Sequence, residues 1–134
     1  MTKWTLTKSM MIKVYDLDRK LTESFVTFCC EDLKIFPKLI EVSPIKFNTN
    51  STGLCIDVEE DEFLILTKTK DRNLTQIYKT IAHELVHVKQ FIYDNLNDLL
   101  LTNEPYETCW WEKEAQEKST DLISRYVKLM VDIR

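Results

Sequence analysis

Residues 73–94 read NLTQIYKTIAHELVHVKQFIYD, and the rest of the chain is best read outward from them. Leu74, Ile77, Tyr78, Ile81, Leu85, Val88 and Ile92 recur at three- and four-residue spacing, which predicts an amphipathic helix from about Asn73 to Asp94. His83 and His87 fall on the other side of that helix, with Gln76, Lys79, Thr80 and Gln90. Residues four apart stand about 40° from each other and one turn up, so both imidazoles can reach one ion. A zinc ion accepts imidazole nitrogen at about 2.0–2.1 Å. Glu84 lands beside such an ion, where its carboxylate can take a proton from a metal-bound water. This H-E-x-x-H pattern uses both histidines of the chain, and from average residue usage it arises by chance in a chain this long with a frequency below ~1 %. Val86 and Phe91 flank the histidine face, which predicts that another part of the chain covers it.

Composition narrows the alternatives. At 134 residues the chain fits one domain, and 44 % hydrophobic with 30 % charged residues suits a packed core under a charged surface. The net charge is −4 and the pI about 5.2, which disfavours nucleic-acid binding as the main role. Gly53 is the one glycine, so a P-loop, a dinucleotide-binding fingerprint and a nucleophile elbow are excluded, each needing more. Cys29, Cys30, Cys55 and Cys109 form no C-x-x-C pair, and they read as reduced thiols in a cytoplasmic protein. No stretch approaches the ~20 apolar residues of a membrane span, and the N-terminus does not read as a signal peptide.

The chain shows no internal repeat or linker. Met11–Tyr15 can form a short strand. Residues 18–36 carry apolar positions at helical spacing (Leu21, Phe25, Phe28, Cys29, Leu33, Phe36) and stop before Pro37. Leu39–Phe47, Leu54–Val58 and Phe63–Thr67 read as short strands, the last two as a hairpin around the acidic turn at Glu59–Glu62. A polar connection over residues 95–109 precedes a last helix from about Trp110, whose apolar stripe is Trp111, Ala115, Leu122, Tyr126, Leu129 and Ile133. The expected fold class is therefore α+β: an N-terminal helix, a small, mainly antiparallel sheet of about three strands, the histidine helix, a loop and a C-terminal helix.

Catalytic zinc sites usually take three protein ligands, and no third histidine exists. Glu104, Glu107, Cys109, Glu112, Glu114 and Glu117 all lie downstream. The helical wheel puts Glu114 on one edge of the apolar stripe and Glu112 on the other, and favours neither strongly.

H-E-L-V-H, followed one loop later by W-E-K-E-A at a helix start, resembles the gluzincin-type metallopeptidases. More narrowly, it resembles the short zincin domains of phages and mobile elements. The resemblance covers roughly residues 70–125. It implies a minimal zincin-like domain that hydrolyses peptide bonds with one zinc ion per chain. His83, His87 and Glu114 would be the ligands, Glu114 standing in a Glu-Ala pair, and Glu84 the general base. Larger members carry an aspartate one turn after the third ligand. Here that position is Lys118, and Asp121 is the candidate to orient a ligating histidine. The resemblance also implies a sheet-edge strand that holds extended substrate, for which Phe63–Thr67 is the candidate, and an oxyanion-stabilising group, for which Tyr106 or Arg125 is available. The implied partner is a peptide or protein substrate. The competing expectation is a zincin-fold module that binds zinc and protein without cleaving.

Overall fold

The computed structural model describes residues 10–133. The readings that fall on residues 1–9 and on the side chain of Ile133 lie outside what is described. The described residues form an α+β fold with four helices and a four-stranded mixed sheet.

Strand β1 (Met11–Val14) leads into helix α1 (Arg19–Leu33). Asp18 caps α1, its carboxylate accepting from the Leu21 N–H at 2.8 Å. The helix stops three residues short of Phe36, because Lys34 turns left-handed (φ 59°) and closes the C-terminus. Strands β2 (Leu39–Pro44), β3 (Gly53–Glu59) and β4 (Glu62–Thr67) follow. The sheet order is β1-β2-β4-β3. β1 pairs with β2 and β2 with β4 in parallel, and only the β3–β4 hairpin is antiparallel. This corrects the mainly antiparallel, three-stranded expectation. The fourth strand is the short β1, and α1 is the crossover that makes β1 and β2 parallel.

The sheet shows one face to the helices. Ile40, Val42, Phe63, Ile65 and Thr67 alternate as buried residues along β2 and β4. Helices α1 and α2 (Leu74–Tyr93) pack on the sheet and on each other, and α4 (Trp110–Ile133) packs along α2. Phe25 of α1 joins three elements. Its ring stacks on Tyr78 of α2 at 4.7 Å and meets Tyr126 of α4 edge-on at 4.9 Å. The Tyr78 hydroxyl, buried among these rings, shares a 2.9 Å hydrogen bond with Thr22.

Helix α2 keeps its expected limits. Asn73 and Gln76 form a reciprocal capping box, and the polar connection after it holds only a four-residue helix, α3 (Leu96–Leu99), and two 3-10 turns. Of its expected stripe, Ile77, Tyr78, Ile81, Leu85 and Val88 are buried, while Leu74 and Ile92, at the two ends, are exposed. Leu129, expected in the α4 stripe, is exposed as well. No helix among the described residues is long and apolar enough to cross a membrane. All four cysteines are free.

Phe25 is fully buried and touches two other helices, so Phe25→Ala should cost about 3–5 kcal/mol. Chemical denaturation monitored by circular dichroism measures it, and a loss within a few tenths of a kcal/mol would mean that this aromatic cluster does not join the helices.

Candidate metal centre

The helical spacing of α2 puts His83 and His87 on one face, with ring centroids 5.0 Å apart. The start of α4 crosses that face and delivers Glu112. Its Oε1 lies 3.3 Å from His83 Nε2 and 3.4 Å from His87 Nε2. Two donors that each sit about 2.1 Å from a tetrahedral ion lie roughly 3.4 Å apart, so both distances to Glu112 are compatible with one such ion. These three side chains can hold a metal ion.

Glu114 is not brought to the histidines. Glu112 and Glu114 differ by about 200° around the helix, so one residue of the pair at most can face them. Glu112 shares its side of α4 with Gln116 and Ser119, which line the same cleft. The Glu114 carboxylate instead accepts from Lys89 Nζ at 3.1 Å and from Gln90 Nε2 at 2.8 Å. Of the two glutamates that the wheel left open, the structure therefore brings Glu112, and not the expected Glu114, to the histidines.

A side chain to which the sequence reading gave no role orients the site. Gln90 is completely buried. Its Nε2 donates to the Trp111 carbonyl and to Glu114 Oε1, both at 2.8 Å. Those two acceptors fix which end of the amide is nitrogen, so Oε1 must face His87 Nδ1, 2.7 Å away. His87 therefore carries a proton on Nδ1, which leaves Nε2, the nitrogen facing Glu112, as the free one whenever the ring is neutral. This is the tautomer that binds a metal. The available signal was position: Gln90 stands three residues after His87, on the same helical face. Asp121, the expected orienting group, is elsewhere. It pairs with Arg125, which also reaches Asp32 of α1 and covers the Phe28 ring. Arg125 is thereby occupied outside the cleft, whereas Tyr106 lines it, 64 % exposed.

Glu84 is only 7 % exposed and has no hydrogen-bond or ion-pair partner among the described residues. Burial raises its pKa, and the neighbouring His87 and His83 only partly offset that. Glu112 responds in the opposite sense. Hydrogen bonds to His83 and His87 hold its carboxyl down at about 2. Burial works against protonation of His87, yet its bond to Glu112 and the charge of Glu84 raise its pKa. Burial likewise pushes up the thiol of Cys55, which lines the same cleft.

Gly53 explains how β3 comes this close. Its φ is not positive, so space is what the position requires. A Cβ there would collide with Thr80 Cγ2 and stand 3.0 Å from Glu84 Oε2. The cleft has a volume of about 640 Å³ and runs between β3, α2 and the start of α4. The strand beside it is β3, at the edge of the sheet. β4, the expected substrate-holding strand Phe63–Thr67, has β2 on one side and β3 on the other, so its main chain has no free edge to offer. Of the two tryptophans at the start of α4, Trp111 is buried against Leu96 and Cys109, and Trp110 is half exposed.

In comparison with known proteins, no family model, curated protein or solved structure matches this chain.

Two outcomes follow from this geometry. Glu112→Ala should abolish stoichiometric zinc uptake measured by elemental analysis. Glu114→Ala should keep the site but weaken it by about 10- to 100-fold in a chelator competition, since it removes one partner of the amide that orients His87 and none of the three converging side chains. Equal loss in Glu112→Ala and Glu114→Ala would contradict the assignment. Separately, Gly53→Ala should lower thermal stability, and adding Thr80→Ser, which removes the colliding methyl while keeping the hydroxyl that Arg72 binds, should restore most of it. A double variant no better than the single one would place the clash elsewhere.

Proposed function

We propose that this chain is a zinc-dependent peptidase in which His83, His87 and Glu112 hold the metal and Glu84 is the general base. The observation that carries this reading is Glu84 itself, a buried carboxylate without a hydrogen-bond partner among the described residues, next in sequence to one of the three side chains that could hold a metal and facing the cleft that all three line. Buried polar groups in folded proteins are nearly always paired, and one left open beside a potential metal centre is placed to serve a ligand. Zinc is favoured because two imidazoles and one carboxylate, with a fourth position open, form the donor set of its catalytic sites, and when bound it would supply Lewis acidity toward a peptide carbonyl. The resemblance of residues 70–125 to gluzincin-type metallopeptidases supports the same reading, with the third ligand moved from Glu114 to Glu112.

The residues of the chain then divide the work. β3, the last strand of the sheet among the described residues, offers its outer edge to an extended peptide. Glu84 accepts a proton from the attacking water as its oxygen bonds to the carbonyl carbon, and delivers that proton to the amine nitrogen as the C–N bond breaks. Tyr106, on the rim, is the group available to donate to the developing oxyanion.

Glu84→Gln tests this directly. The variant should bind zinc as wild type does and lose peptide hydrolysis by about 10²- to 10⁴-fold. Hydrolysis at the wild-type rate would overturn the role of Glu84. A zinc-loaded wild type that cleaves no member of a broad peptide library would favour a module that binds without cleaving.

A further inference from the structure

The two ends of the cleft differ in chemistry. At the end nearest the start of α2 stand Arg72 and Lys79. Arg72 donates to the Lys68 and Gln76 carbonyls and to Thr80 Oγ1 at 2.9–3.0 Å, so its guanidinium is fixed but its charge meets no carboxylate among the described residues. Lys79, half-buried and one helical turn before His83, has no partner among the described residues. At the other end are Phe91, Leu96, Leu100 and Trp111. Leu100 is 56 % exposed, and its neighbour Leu101 81 %. Exposed apolar groups on the rim of a cleft mark a binding surface. From Lys79 to Phe91 helix α2 rises roughly 18 Å, the length of about five extended residues.

β3 gives this polarity a direction. Gly53, at its start, abuts Thr80 and Glu84. Asp57, further along, is reached by Asn97 Nδ2 at 3.4 Å, beyond the end of α2. The strand thus runs from the cationic end toward the apolar end. A peptide adding to its outer edge pairs better antiparallel, so the peptide would run from the apolar end to Lys79.

We propose that the cleft selects an extended segment with an apolar side chain on the N-terminal side of the scissile bond and a carboxylate one or two residues on its C-terminal side, received by Lys79. The proposal rests on the peptidase reading above for the position of the bond that breaks, but its carboxylate site is a property of binding alone. That carboxylate is either an Asp or Glu side chain or the terminus of the peptide.

The test uses the zinc-loaded full chain and N-acetylated peptides with leucine before the scissile bond and Glu, Gln or Lys after it, each made as C-terminal acid and amide. Wild type should cleave the Glu peptides about tenfold better than the Lys peptides, the size expected of one charge-assisted hydrogen bond. Lys79→Gln should level the series and Lys79→Glu should invert it. Acids cleaved better than amides whatever the side chain would assign the carboxylate to the chain terminus, and a preference for Glu kept in the amides would assign it to the side chain. Equal rates across the series, or a preference untouched by Lys79→Glu, would overturn the proposal. If no peptide is cleaved, binding to the zinc-loaded Glu84→Gln variant, followed by tryptophan fluorescence, decides it. A preference for Glu peptides abolished by Lys79→Glu would keep the carboxylate site while the peptidase reading falls. Binding without that preference, or no binding, would overturn the site.

Discussion

Gln90 is the residue on which the site's geometry depends. A primary amide without any solvent exposure must have its donors and acceptor met inside the protein, at a cost of about 1–3 kcal/mol for each group left open. Here they are met by the Trp111 carbonyl, the Glu114 carboxylate and the His87 ring. Two of the three belong to the start of α4, so satisfying one side chain of α2 sets where the last helix begins relative to the histidines. Once Trp111 and Glu114 are held there, the turn of the helix leaves Glu112 facing His83 and His87. The ion pair of Lys89 with Glu114 and Asp94 closes the outside of this network.

The same economy of space operates on the opposite wall. β3 lies against α2 because residue 53 has no side chain, and the contact buries Glu84 without offering it a hydrogen bond. The hydrophobic core does not require this arrangement. Phe25, Tyr78 and Tyr126 bind the three long helices together on the other side of α2. Helix α2 is therefore buried on two unlike faces, one apolar and built for packing, one polar and built around groups whose lone pairs converge. That second face carries the three side chains that could hold a metal, and the cleft along it is cationic at one end and apolar at the other.

Much of the fold was legible in residue spacing. Helix α2 was bounded within a residue by the period of its apolar positions, and the β3–β4 hairpin by its acidic turn. The sheet's parallel pairings were not legible, because β1 is only four residues long and too short to register as a paired strand. The edge strand was misplaced for a related reason. Phe63–Thr67 is the most apolar strand, which reads as prominence but in a sheet means burial between two neighbours.

At the site, the sequence alone determined the two histidines, the adjacent glutamate and their common helical face, because a four-residue spacing on an α-helix fixes those relations locally. It did not determine which glutamate joins the two histidines. Glu112 and Glu114 sit on different sides of one helix, and which of them meets α2 depends on the rotation and offset of two helices joined by an irregular connection. Packing decided that, through a buried glutamine whose hydrogen bonds can be completed in only one arrangement. The orienting of His87 and the close approach of Gly53 were likewise decided by the tertiary structure, since each is a relation between segments that only the folded chain brings within contact.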